Sequence, residues 1–125
     1  MSQGEYRLLR IVQGRTAFAR VVLEAHEDGA NGPLVVDASS VEEPWRGAVV
    51  FGVIYAQEQL SFAGDHRKWR VVARSLDATV VDTTVMAVAF ASYHAACLAF
   101  GMRPDERIRL RADSVFELPA FTRPA

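Results

Sequence analysis

Residues 81–101 read VDTTVMAVAFASYHAACLAFG. Val85, Met86, Ala89, Phe90, Tyr93, Ala96, Cys97 and Phe100 recur at spacings of one, three and four, which places them on one broad apolar face of an α-helix. Alanines at 87, 89, 91, 95, 96 and 99 keep this rod slim, so it can lie close on a sheet. Asp82 or Thr83 suits its N-terminus, because a short side-chain oxygen there accepts an otherwise unpaired backbone N–H. Gly101 suits a left-handed stop, and Pro104 prevents continuation. The rest of the chain can be arranged against this helix.

Strand periodicity dominates before it. Residues 5–13 (EYRLLRIVQ) and 16–25 (TAFARVVLEA) flank Gly14-Arg15 and predict a hairpin. In the second strand Ala17, Ala19, Val21 and Leu23 alternate with Phe18, Arg20, Val22 and Glu24. Residues 27–33 are turn-rich, and 34–38 (LVVDA) predict a short third strand. Ser40 and Glu43 have capping-box spacing, and Pro44 fits a first helical turn, so the cap is Ser40 or a residue a few positions later. A long helix follows over 45–62. Its apolar turn, around Val49, Val50, Val53 and Ile54, is explained either by burial or by a partner surface. Residues 69–75 (WRVVARS) predict a fourth strand. Residues 107–115 (RIRLRADSV) predict a last one, with Ile108, Leu110 and Ala112 on one side and arginines on the other. Residues 119–125 read as a flexible tail.

The order β-β-β-α-β-α-β predicts a single two-layer α+β domain over residues 1–125. It has a four- to five-stranded, mostly antiparallel sheet with two helices on one face. A net charge of −1 gives no global pull toward polyanions, so any such partner needs a local basic patch. The near-apolar run 47–56 is too short to span a bilayer, and no secretory leader is visible, so a cytoplasmic setting is expected. Cys97 has no second cysteine to pair with and falls on the apolar helix face. Lys68 is the one lysine and lies between Arg67 and Trp69, which excludes a Gly-Lys-Ser/Thr phosphate loop.

With these elements placed, the chain resembles domain IV of the translational GTPase elongation factor G. Residues 14–24, GRTAFARVVLE, resemble that family's Gly-Arg-Gly-x-Tyr-x-x-Val-Val-hydrophobic-Glu strand. Val81, Asp82, Thr83, Thr84, Met86 and Ala87 are in register with its Val-Asp-Ser-Ser-Glu-Met-Ala helix start. Residues 69–77 and 109–119 correspond to two further strands. The resemblance implies the ribosomal protein S5 domain 2-like fold, with a left-handed β-α-β crossover through the first helix. It also implies contact with RNA through tip loops. Here the tip at 76–80 (LDATV) is shorter and lacks the family's histidine, and the glycine-rich tip is reduced to Gly14-Arg15. A stand-alone relative with a different role, without a GTPase domain, is therefore expected.

The candidate RNA or partner surface is the sheet face away from the helices, with Phe18, Arg20, Arg70, Arg74, Arg107, Arg109 and Arg111. Guanidinium forks suit phosphates, and Phe18 could stack a base. A solvated face balanced by Glu24 and Asp113 explains the same pattern. The candidate oligomer surface is Val49, Val50, Val53 and Ile54. His26, His66 and His94 have no ligand spacing, so no metal is expected, and His94 reads as a helix-surface or capping-layer group. Ser39, Ser40, Thr83 and Thr84 have no paired base. No cofactor, nucleotide or nucleophile motif is visible. The expectation is a non-catalytic binding module for RNA or the ribosome, the alternative being a protein-interaction or homo-oligomeric module.

Overall fold

A computed structural model describes residues 2–12, 15–27, 34–65, 67–79, 82–104, 109–110 and 116–117. The order is β1 (Ser2–Val12), β2 (Arg15–Glu27), β3 (Val35–Asp37), α1 (Arg46–Phe62), β4 (Trp69–Asp77), α2 (Val85–Phe100), β5 (Arg109–Leu110) and β6 (Phe116–Glu117). Four strands form a sheet in the order β1-β2-β4-β3. The β1–β2 and β2–β4 pairs are antiparallel, and β3 runs parallel to β4. A parallel pair needs a crossover, and α1 supplies it. The result is the two-layer α+β architecture that the periodicities predict.

The slim helix sets the spacing of the layers. α2 lies against β1, β2 and α1 and is buried on almost every side. A Cβ built on Gly4 of β1 would fall 1.9 Å from the Ala95 carbonyl oxygen and 2.7 Å from the Ala99 nitrogen. One built on Gly52 of α1 would fall 2.7 Å from the Ala89 carbonyl oxygen and the Tyr93 nitrogen. Two glycines therefore let neighbouring backbones approach α2 from two sides, and its alanines complete the fit. The Tyr93 hydroxyl donates to Gln59 Oε1 across the two helices.

The sheet separates its faces cleanly. Ala19, Val21, Leu23 and Ala25 of β2 are all fully buried, as is Val71 of β4. On β4 the inward set starts on odd positions, with Trp69, Val71 and Ala73. It then switches parity, because Leu76 also packs against the core. A β-bulge permits the switch: Ser75 faces Val22 and Ala73 faces Leu23, which leaves Arg74 as the extra residue.

Helix ends differ from the sequence expectation. Thr84, not Asp82 or Thr83, caps α2, with its Oγ1 accepting the Ala87 N–H at 3.1 Å. Thr83 is occupied elsewhere, as described below. Gly101 stops the helix in the left-handed region, with φ 74°. The capping box at Ser40 does not form. Ser40 Oγ donates to the Ala73 carbonyl, and α1 starts after Trp45 with no side-chain cap. The Glu43–Pro44 peptide is cis and sits in the turn before α1. The last predicted strand is also different. Its described part, Arg109–Leu110, pairs with Phe116–Glu117 in a separate two-stranded sheet rather than joining the four-stranded one. The predicted tail, 119–125, lies outside the described residues.

Candidate functional site

Alternation carries Phe18, Arg20, Val22, Glu24 and His26 of β2 to the outer sheet face, away from the helices. Cross-strand pairing then assigns the neighbours. Arg7 stands opposite Arg20, Leu9 opposite Phe18, Asp77 opposite Arg20, and Arg70 opposite His26. Val35 and Asp37 of β3 stand opposite Arg70 and Val72. Of the seven residues predicted for this surface, the four-stranded sheet brings together Phe18, Arg20, Arg70 and Arg74. Arg109 belongs to the separate sheet, and Arg107 and Arg111 lie outside the described residues.

The guanidiniums that do assemble are mostly matched by carboxylates. Arg20 is held by Asp77 at 3.0 Å and by Glu5, and these hydrogen bonds raise its pKa further. Arg74 bonds Glu24, which lowers the Glu24 pKa, and His26 Nε2 approaches the other Glu24 oxygen at 3.1 Å. Asp37 is pulled below the ordinary carboxylate range, first by hydrogen bonds from Ser39 and then by Arg70 and Arg74. Arg70 and Arg7 form no ion pair among the described residues. Arg7 instead lies over the Phe18 ring, 6.0 Å from its centroid. An open depression of about 460 Å³ on this face is lined by His26, Glu27, Arg70, Val72 and Arg74.

At one end of the face two connections meet. The Phe18 N–H donates to the Asp82 carbonyl at 2.9 Å. Thr83 Oγ1 donates to the Phe18 carbonyl at 2.7 Å and accepts the Thr79 N–H at 2.8 Å. Thr79 Oγ1 in turn accepts the Asp82 N–H at 3.0 Å. The Asp-Thr-Thr corner before α2 is thus laced to the hairpin end of β2. Thr83 is buried by this arrangement.

The candidate oligomer surface is divided. Val49 and Val53 are fully buried in the core and Val50 is half-buried, which leaves Ile54 as its exposed member. The burial explanation of this turn is the correct one for Val49 and Val53. The exposed side of α1 instead carries Phe51, Ile54 and Phe62. His94 is not a helix-surface group. Its ring stacks on Tyr6 at 4.4 Å and packs on Phe90 at 4.5 Å, and burial pushes its pKa down to about 4. Its Nε2 is buried without a hydrogen-bond partner among the described residues. Cys97 is buried. No group of three or more His, Cys, Asp or Glu among the described residues could hold a metal ion. Among them, no helix is long and apolar enough to cross a membrane.

Glu5, Arg7, Asp37 and Asp77 join this surface without having been singled out from the sequence. The available signal was alternation in residues 2–12, where Gln3, Glu5, Arg7, Leu9 and Ile11 share one side.

No protein-family model matches the chain, and no curated protein matches it. A solved crystal structure of a Thermus thermophilus protein is similar in fold, with a TM-score of 0.59 and 14% sequence identity over 76% of this chain. The matched region is only 15% of that protein's length, so the likeness is to one part of a much longer chain. Fold and surface together define a small two-layer α+β domain with one sheet face uncovered by its helices.

Proposed function

We propose that this domain is a non-catalytic binding module, related to domain IV of elongation factor G, that contacts structured RNA of the ribosome. The contact surface is the outer sheet face with the corner that adjoins it. The observation that carries the reading is the junction at Phe18. There the start of β2 and the Asp82–Thr84 corner, which adjoin the two tips that the resemblance links to RNA contact, are tied together. Phe18 itself stands on the outer face with a guanidinium against its ring. A likeness to part of a much longer chain fits a fold that also serves as a module.

The ion pairs set the terms of such binding. Phosphate reaching Arg20 or Arg74 must compete with Asp77, Glu5 or Glu24 for the guanidinium's charge. Arg70 meets phosphate without that competition. Binding of ribosomal RNA fragments, followed by fluorescence anisotropy, should weaken steeply with added salt. Arg70→Glu should weaken it further and flatten the salt slope by about one. No salt-sensitive binding at about 150 mM ionic strength would end this reading.

Self-association is a second reading, favoured by the position of β1. It is an edge strand eleven residues long, and among the described residues its outer edge pairs with nothing. Sedimentation of the chain over a wide concentration range tests it, and a monomer throughout would remove it.

A further inference from the structure

We propose that two copies of this chain join antiparallel through their β1 strands about a two-fold axis at Tyr6, so that Glu5 of each copy faces Arg7 of the other. This deepens the self-association reading by naming the surface and its register.

The two edges of the sheet differ. β3 closes one side with three residues, a short edge that offers little to a new strand. β1 closes the other with eleven residues. Its pairing with β2 is continuous from Ser2 to Val12, with no bulge to turn the edge away. It contains no proline or lysine, the usual devices that blunt an edge. Every second residue therefore directs an N–H and a C=O away from β2, ready for another strand.

Charge then selects the partner and the register. Opposed residues in an antiparallel pair share a face, so an outer residue must meet an outer residue. The outer series is Gln3, Glu5, Arg7, Leu9 and Ile11. An axis at Tyr6 sets Glu5 against Arg7 twice. An axis at Glu5 or at Arg7 would set that residue against its own copy, and like charges directly opposed are unfavourable. On the inner side the same register sets Gly4, which α2 covers, opposite Leu8 of the second copy, which is buried in its own core. Leu9 and Ile11, 56% and 71% exposed, lie along the seam. A strand that carries an acid and a base two residues apart is complementary to itself when reversed, and this argues for a second copy over an unrelated strand.

Sedimentation velocity on the full chain, from about 1 to 500 µM, should show a monomer–dimer equilibrium. Glu5→Arg or Arg7→Glu alone should weaken the dimer by about tenfold, since each opposes like charges at both symmetric contacts. The double reversal should restore the wild-type dimer to within about threefold. Because Glu5 also binds Arg20 and Arg7 covers Phe18, each variant is first checked for its melting temperature. A second measurement does not depend on the reversals. Under mild oxidation, Glu5→Cys mixed with Arg7→Cys should cross-link across the seam, and Arg7→Cys alone should not. A monomer at every concentration would overturn both this inference and the self-association reading. A dimer that ignores the reversals, or that cross-links equally in all mixtures, would overturn this inference, leaving self-association standing on another surface.

Discussion

The two faces of one strand, β2, show how differently the two sides of this sheet are built. Inward, Ala19, Val21, Leu23 and Ala25 are all fully buried beneath the helices. Outward, between them, stand Phe18, Arg20, Glu24 and His26, in a lattice of partly exposed charges that covers Val22. The inner face is held by shape. Backbone comes so close to backbone at Gly4 that one methyl group has no place. The outer face is held by charges that solvent screens, and such pairs contribute little to stability. Stability therefore resides on one side of the sheet, and freedom to change or to bind resides on the other.

The largest break in this contrast should come from Gly4→Ala. The added Cβ meets backbone atoms of α2, which cannot swing away, so a loss of about 3 kcal/mol is expected in chemical denaturation. His94 should give an intermediate effect and a pH signature. Its folded pKa, about 4, lies below the ordinary value of 6.5. The unfolded chain therefore takes up a proton first as pH falls. Stability is fully present above about pH 6.5 and declines toward pH 4. After discounting for the part-exposed ring, the decline is on the order of 2 kcal/mol. His94→Leu should flatten this slope in denaturation curves measured at several pH values. The smallest effect should come from Arg74→Ala on the outer face, with little or no shift of the denaturation midpoint in the same assay. A large loss there would mean that the outer face is structural after all, and the contrast between the faces would fail.

Much of this architecture was legible in the residues. Alternation in 16–25 assigned the two sides of β2, and the alanine pattern of 85–100 announced a helix that lies close to its neighbours. Gly101 marked the stop. The misses share one cause, which is long-range competition for a short polar side chain. Thr83 and Ser40 each satisfy local capping patterns, yet each bonds a distant strand, at Phe18 and Ala73. Local spacing cannot register that. The parity switch at Arg74 was hidden for a related reason, since a bulge is defined by the partner strand. At the candidate surface, arginine positions were readable and their partners were not. Glu5, Asp77 and Glu24 come from three different strands and meet only after pairing. In α1 the choice between burial and a partner surface stayed open, because hydrophobic content alone does not say which residues of one turn face α2.

Gly4 and Gly52 have a mechanical consequence. They seat α2 between β1 and α1 with no slack, and any slide or roll of the helix drives backbone into backbone. Such a domain has no internal gear to shift. A load applied to such a domain would move it as one stiff body rather than bend it.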